Sequence, residues 1–250
     1  MKVIAEIDET VIVPASGDWP EFSFAFQPIV DAAAGKIVSY EALVRGRHNE
    51  PAGSIFKQVP PGSMHRFDAA TRVVAIELAA RLGIQCNLNL NFLPRSVQAS
   101  DAPIRGTVDA AVRCGLSIDR IVLEVTEGEM IDDQAHFIRL VNDYRGMGMK
   151  VSIDDFGAGY AGLNLLADFQ PDQVKLDMNL VRDIESKGPR QAIVRAILQA
   201  CNDLGIDFLA EGVETLNEYH WFRDEGVQLY QGYLLAKPGF EQLAGYVQPA

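Results

Sequence analysis

The chain has 250 residues, and 48% of them are hydrophobic, which is enough to bury a sizeable core. The 34 acidic side chains outnumber the 22 basic ones, so the formal net charge is −12. This charge argues against a surface built for many phosphate contacts to a nucleic-acid polymer such as duplex DNA. A single polyanionic ligand is compatible with it if metal ions supply positive charge.

No apolar run reaches the roughly 20 residues of a membrane span, so we expect no direct insertion into a membrane. The first ten residues, MKVIAEIDET, are acidic, whereas a signal peptide begins with basic residues and continues with apolar ones. Cys86, Cys114 and Cys201 are far apart and form no CxxC pair, which is typical of reduced thiols. Together these features favour a cytoplasmic protein.

We interpret residues 1–20, which contain PASGDWP, as a lead-in and residues 21–250 as one domain. From residue 120 onward, strand-like runs alternate with helical patterns. RIVLEVTE precedes a helix over 132–148, MKVSIDDF a helix near 161–169, QVKLD a helix over 190–205, and DFLAEGVE a helix over 216–226. The alternation predicts βα units and a mostly parallel sheet.

The predicted strands and helices also indicate how the sheet is covered. Strand bodies such as IVLEV and VSI are apolar throughout, which suits a sheet buried on both faces. Gly205 and Gly226 follow two of the helical patterns and match helix stops. With six or more such units, the pattern favours a (β/α)8-type barrel over an open doubly wound sheet, although one sequence does not give the strand order.

Charged side chains stand at the carboxyl ends of four successive predicted strands. In chain order they are Glu124 and Glu127, Asp154 and Asp155, Lys175 and Asp177, and Glu211 and Glu214. In a barrel these ends form the active-site face, so the side chains should converge on one cleft. So many acids repel one another unless cations hold them together.

Glu41 in YEALVR and Asn91 in NLNLNFLP add further oxygen ligands, without nearby His or Cys partners. Hard oxygen ligands favour Mg2+ or Mn2+ over zinc. Adjacent acids such as Asp154 and Asp155 can bridge two ions roughly 3.5 to 4 Å apart, an arrangement used in phosphate-ester hydrolysis. Any one of these acids could instead cap a helix or face solvent, but the set at four strand ends favours a metal centre.

Lys175 lies in the apolar run QVKLD, where a lysine is costly unless a charge partner or a ligand meets its ammonium group. A structural ion pair and a role beside metal-bound water or phosphate both satisfy that need. Gly157, Gly159 and Gly162 suit a loop that closes over substrate, although ordinary turn geometry explains them nearly as well.

A series of short motifs runs through most of the chain. They are Gln27-Pro28-Ile29-Val30, Glu41-Ala42-Leu43 with Arg45, Asn91 in NFLP, Glu124 and Glu127 in LEVTE, DDFGAGY, Lys175 in VKLD, Glu211 in AEGVE, and Gln231 in YQGYLLAKP. In this order they resemble the EAL family of cyclic di-GMP phosphodiesterases, from about residue 22 to residue 240. One short motif would be weak evidence, whereas the whole series in this order is specific.

The resemblance implies a modified (β/α)8 barrel whose first strand runs antiparallel to the others. It also implies hydrolysis of cyclic di-GMP to linear 5′-pGpG with two divalent cations, Mg2+ or Mn2+, and inhibition by Ca2+. The metal ligands would be Glu41, Asn91, Glu124, Asp154, Asp155 and Glu211.

By the same resemblance, Lys175 and Glu211 position or deprotonate the attacking water, and Gln231 orients it. Glu127 would anchor the loop after the two aspartates. The catalytic group implied by the family is therefore Lys175, Glu211, Gln231 and Glu127.

The resemblance further implies that Arg45 contacts a substrate phosphate, and that Gln27 and Leu43 line the nucleotide path. EAL domains often dimerise through the region around DDFG, so we expect a homodimer. The NFLP and DDFGAGYAGL variants are similar to those of EAL domains attached to light-sensing flavin modules, which makes a fused or separate sensory domain an expected partner.

One departure and two alternatives stand beside this interpretation. Where many members have Thr, Ser and Ser in the loop, this chain has Ala158, Ala161 and Gly162, which could alter loop closure and regulation. The alternatives are a catalytically silent receptor for cyclic di-GMP and an interaction scaffold that uses only the barrel surface. Retention of the acids at positions 41, 124 and 127 argues against the receptor.

Overall fold

The computed structural model of the chain describes residues 19–93, 102–127, 134–159, 166–167 and 169–249. The predicted lead-in 1–20 lies outside these residues except for its last two, so the boundary at residue 21 stays a prediction. The helix predicted near 161–169 also lies largely outside the described residues.

Strands and helices alternate along the chain. The strands are Phe22–Asp31 (β1), Lys36–Gly46 (β2), Asn87–Asn91 (β3), Ile121–Thr126 (β4), Lys150–Phe156 (β5), Gln173–Leu176 (β6), Asp207–Ala210 (β7), Leu229–Tyr230 (β8) and Gly239–Phe240 (β9). The helices are Ala52–Phe56 (α1), Met64–Arg81 (α2), Ala102–Cys114 (α3), Gln134–Gly146 (α4), Met178–Val181 (α5), Gly188–Leu204 (α6) and Leu216–Asp224 (α7). The helices predicted over 132–148, 190–205 and 216–226 are confirmed as α4, α6 and α7.

Strands β1 to β8 close into a barrel. From β2 to β8, each strand pairs in parallel with the next one along the chain. β1 lies between β8 and β2 and is antiparallel to both, with Gln27 opposite Glu41. β9 adds a short antiparallel contact between Phe240 and Ala25 of β1. The predicted barrel with an antiparallel first strand is confirmed.

Alternation along the strands separates an apolar outer layer from a polar interior. On β3, Leu88 and Leu90 are buried in the apolar core between the strands and the helices. Asn89 and Asn91 alternate with them and point into the barrel, where Asn89 is also buried. The interior beneath the active-site face is therefore polar.

Helix ends fix the loops that carry functional side chains. α6 ends at Gly205, whose φ of 70° is a left-handed conformation that glycine adopts without strain, so the predicted helix stop is confirmed. α7 begins with a capping box between Thr215 and Glu218, directly after the segment that holds Glu211.

Within the described parts of the chain, no helix has both the length and the apolar character needed to cross a membrane.

Candidate metal centre and active site

The amino group of Lys175 lies among carboxylates at the carboxyl end of the barrel. Its Nζ atom is 3.2 Å from Glu41 Oε2, 3.1 Å from Glu124 Oε1, 3.0 Å from Asp154 Oδ1 and 3.2 Å from Glu211 Oε2. The side chains of Lys175 and Glu124 are fully buried. Side chains from β2, β4, β5 and β6, and from the residue after β7, thus meet at one point.

Burial and like charge make two of these acids hard to ionise. Burial, followed by the negative charge of Glu41, raises the pKa of Glu124 well above its ordinary value. Burial also raises the pKa of Glu211 to about 8, with repulsion from Asp154 adding to it and Lys175 opposing it. Both carboxyl groups therefore hold protons more tightly than exposed glutamates do.

Asp154 and Lys175 stabilise each other's charged forms. Burial alone would raise the pKa of Asp154, but the nearby ammonium group of Lys175 lowers it below its ordinary value. Burial alone would lower the pKa of Lys175, but the surrounding carboxylates, Asp154 first, raise it well above its ordinary value. Lys175 is therefore a charged ammonium at neutral pH.

The geometry of the acids suits a divalent cation. Glu41, Glu124 and Asp154 each present a carboxylate oxygen, and these oxygens lie within 4.8 Å of one another. Glu124 Oε2 is buried and accepts no hydrogen bond from the described residues, which is a costly state that a cation would relieve. Since the donors are all oxygen atoms, the residues fit a hard ion such as Mg2+ or Mn2+.

Three side-chain amides surround the same acids. Asn91 Nδ2 donates to Glu41 Oε1 at 3.4 Å. Gln231 Nε2 donates to Glu41 Oε2 at 2.6 Å and lies 3.4 Å from Gln27 Oε1. Gln27 in turn donates to the carbonyl oxygen of Ala236 at 3.1 Å. The amides therefore orient both carboxylate oxygens of Glu41 and link the acids to β1.

Asp155 differs from its neighbour Asp154. It is exposed, and its φ of 53° lies in the left-handed region that aspartate tolerates better than most residues. Partial desolvation of its carboxyl group, followed by repulsion from Asp154 and Asp177, raises the pKa of Asp155 to about 6. The two predicted metal ligands thus occupy different environments, one inside the barrel and one at its opening.

Glu127 contacts the loop that follows the two aspartates. Its Oε2 atom accepts the backbone N–H groups of Gly157 at 3.0 Å and Gly159 at 3.1 Å. A Cβ atom on Gly159 would lie 3.0 Å from the carboxylate of Glu127, so glycine permits this close approach. Of the loop departures, Ala158 is exposed, whereas Ala161 and Gly162 lie outside the described residues.

Leu43 and Arg45 lie two and four residues beyond Glu41 on β2 and are half-buried. Alternation places them on the same face as Glu41 but nearer the barrel opening. Arg45 Nη1 donates to the carbonyl oxygen of Val44 at 2.8 Å. These positions are compatible with contact to a ligand that enters from the opening.

Two buried polar residues of the site were missed in the sequence. Asn89 Nδ2 donates to Glu124 Oε1 at 2.8 Å, and the Ser39 hydroxyl donates to Asn89 Oδ1. The signal was the alternation in NLNLN, which puts Asn89 on the same face as Asn91.

Comparison with known families identifies the chain. The model of the EAL domain matches residues 16–238. The chain belongs to the EAL family. This confirms the resemblance seen in the motifs, and the barrel with its antiparallel first strand is the fold found in solved EAL structures.

Two curated EAL relatives show how varied the longer proteins of this family are. Over 233 residues the chain is 32% identical to the blue light- and temperature-regulated antirepressor BluF of Escherichia coli, covering 93% of this chain and 57% of that protein. Over 250 residues it is 29% identical to the cyclic di-GMP phosphodiesterase PA2567 of Pseudomonas aeruginosa, covering 96% of this chain and 42% of that protein. The chain spans about half the length of these curated relatives.

Solved EAL structures resemble the chain more closely. A standalone versatile EAL protein from Vibrio cholerae O395 in its c-di-GMP-bound form has 46% identity and a TM-score of 0.88, covering 92% of this chain and 97% of that one. A manganese and cyclic di-GMP complex of Klebsiella pneumoniae BlrP1 has 40% identity and a TM-score of 0.84, covering 88% of this chain and 56% of that one. A calcium and cyclic di-GMP complex of BlrP1 has 38% identity and a TM-score of 0.87, covering 90% of this chain and 57% of that one.

Proposed function

We propose that this EAL chain is a metal-dependent cyclic di-GMP phosphodiesterase that produces linear 5′-pGpG. The observation that carries the proposal is the triad of Glu41, Glu124 and Asp154, whose carboxylate oxygens lie within 4.8 Å of one another beside a buried ammonium group. Relatives named as cyclic di-GMP phosphodiesterases and EAL structures that hold cyclic di-GMP support the substrate.

The residues that would hold two divalent cations share oxygen donors and proximity to the carboxyl end of the barrel. They are Glu41, Asn91, Glu124, Asp154, Asp155 and Glu211. When bound, such a pair of cations lowers the pKa of a water molecule and neutralises charge on phosphoryl oxygens. We assign Mg2+ or Mn2+ to the active form, and we expect Ca2+ to inhibit because it prefers more ligands at longer distances.

Lys175 and Glu211 have complementary roles in the proposal. Lys175, which its carboxylate neighbours keep protonated, donates hydrogen bonds to the attacking water or to a phosphoryl oxygen. Glu211, at the edge of the group and 28% exposed, accepts a proton from the water. Gln231, which already donates to Glu41, orients the water beside them.

The remaining residues position the loop and the ligand. Glu127 holds the loop after Asp155 through two backbone N–H groups. Arg45 at the opening contacts a substrate phosphate, and Gln27 and Leu43 line the path of the nucleotide. The substrate is an intracellular second messenger in this proposal, so we also propose a cytoplasmic location. We further propose that the chain forms a homodimer and has a sensory domain as a fused or separate partner.

The likeness to an antirepressor supports a second candidate function. BluF shares 32% identity with this chain and is named for regulation of repression rather than for hydrolysis. In this alternative the EAL barrel binds cyclic di-GMP without cutting it, or acts through its surface alone. Intact nucleotide after incubation with protein and metal would favour it.

The test is incubation of the purified chain with cyclic di-GMP and Mg2+, Mn2+ or Ca2+, with chromatography of the products. Glu41→Gln removes one charge from the metal triad. Glu185→Gln makes the same change at an exposed glutamate between α5 and α6. We expect 5′-pGpG from the wild type and from Glu185→Gln, and none from Glu41→Gln. Sedimentation of the same samples tests the homodimer.

A further inference from the structure

The barrel interior contains a buried polar pair, Asn89 and Ser39, directly behind Glu124. Asn89 on β3 is 1% exposed, and Ser39 on β2 is 5% exposed. Two residues further along the same strands stand Asn91 and Glu41, which face the opening of the barrel. We propose that Asn89, held by Ser39, is a positioning residue that orients Glu124 for a divalent cation.

The contacts fix which way the amide of Asn89 points. Its Nδ2 atom donates to Glu124 Oε1 at 2.8 Å, and its Oδ1 atom accepts the hydroxyl of Ser39. The reversed amide would set two acceptor oxygens against each other at the ionised carboxylate of Glu124, whereas the Ser39 hydroxyl can donate or accept and fits either orientation. Glu124 therefore selects the orientation in which Asn89 donates, and Ser39 holds the amide there by donating to its Oδ1 atom.

The two oxygens of Glu124 consequently have separate tasks. Oε1 is engaged by Asn89 and by the ammonium of Lys175 at 3.1 Å. Oε2 is buried and, within the part of the chain that the structure describes, accepts no hydrogen bond. The last torsion of a glutamate side chain is soft, so a donor that holds one oxygen also sets the direction of the other. Asn89 leaves Oε2 as the oxygen presented to the cation.

An amide suits this task better than a second cation. It donates a strong hydrogen bond to a charged acceptor but adds no positive charge that would compete with the metal. Residues that orient a metal ligand in this way change metal affinity by about 10- to 100-fold when they are replaced. The inference rests on the proposed function, because it takes Glu124 as a metal ligand.

The experiment measures Mn2+ binding to the metal-free protein by titration calorimetry, so it does not depend on activity. Asn89→Leu removes the donor but keeps the number and branching of side-chain heavy atoms, and Ser39→Ala removes only the hydroxyl that holds the amide. Ser39→Thr keeps that hydroxyl. Ser152→Ala is the matched control, because Ser152 is also fully buried but donates to Gln173 at 3.3 Å instead.

We expect Asn89→Leu to weaken Mn2+ binding by about 10- to 100-fold. Ser39→Ala should weaken it by about fivefold, the value of one ordinary hydrogen bond, while Ser39→Thr and Ser152→Ala stay near the wild type. A folded Asn89→Leu protein with wild-type affinity overturns the inference. If that variant does not fold, unchanged affinity in Ser39→Ala overturns it equally. Failure of the wild type to bind Mn2+ would reject the proposed metal centre as well, so the two failures are distinguishable.

Discussion

The buried lysine makes a sharp prediction about stability. Lys175→Met keeps an unbranched side chain of similar length but removes the positive charge that four carboxylates share at 3.0 to 3.2 Å. Removing one partner from a buried ion pair costs about 3 to 5 kcal/mol, because the remaining charge is left uncompensated. For a chain of this length that corresponds to a fall in Tm of roughly 6 to 20 °C in metal-free protein.

The assay is thermal unfolding at pH 7.5 in chelator, with Lys36→Met as a control because Lys36 is exposed at the start of β2. We expect Mn2+ to restore part of the Tm of Lys175→Met, since a bound cation supplies charge to the same oxygens. Equal Tm values for Lys175→Met and Lys36→Met in chelator would refute the idea that Lys175 compensates the buried acids.

Two further predictions concern a glycine and the pH. A Cβ on Gly232 would lie 2.0 Å from the carbonyl oxygen of Val213, so Gly232→Ala should lower the free energy of unfolding by about 1 to 3 kcal/mol or more. At Gly53 in helix α1, an added Cβ would have no described atom within 4 Å, so Gly53→Ala should instead raise the free energy of unfolding by about 0.5 to 1 kcal/mol. Similar urea midpoints for the two variants would contradict this. In chelator, stability should fall as the pH rises from about 4.5 to about 8, because folding raises the pKa values of Glu211 and Asp155 and the unfolded chain loses those protons first. A Tm that is constant or rises over this interval would show that these groups are not protonated in the folded state.

The order of strands and helices could be predicted because it depends on the hydrophobic pattern within short segments. Apolar runs of four to eight residues predicted β4, β5 and β6. The acids at the ends of these runs predicted that Glu124 and Asp154 lie at the same end of the barrel. The antiparallel direction of β1 could not be obtained this way. Its pairing with β8 joins Val30 and Tyr230, which are about 200 residues apart, and only the family resemblance supplied the direction of β1.

The interior of the site was harder to predict than its rim. The partners of Glu124, namely Asn89 and Lys175, lie 35 and 51 positions away, and nothing local to LEVTE indicates them. The periodicity of NLNLN was visible, but an asparagine on an inward face is as compatible with packing as with a hydrogen bond to an acid. The different environments of Asp154 and Asp155 also follow from backbone geometry rather than from residue type.

The acidity of the site and its proposed anionic ligand can be reconciled by counting charge. The ionisable groups proposed to act there are Glu41, Glu124, Asp154, Asp155, Glu211 and Lys175. With every group ionised, five carboxylates and one ammonium leave a formal charge of four negative, which repels phosphate, and two divalent cations bring this to neutrality. Burial, together with repulsion from Asp154 and Glu41, raises the pKa of Glu211, and the proton it holds removes one negative charge from the metal-free site. Protons and cations therefore compete for the same oxygens, so cyclic di-GMP binding in this proposal strengthens as metal replaces protons.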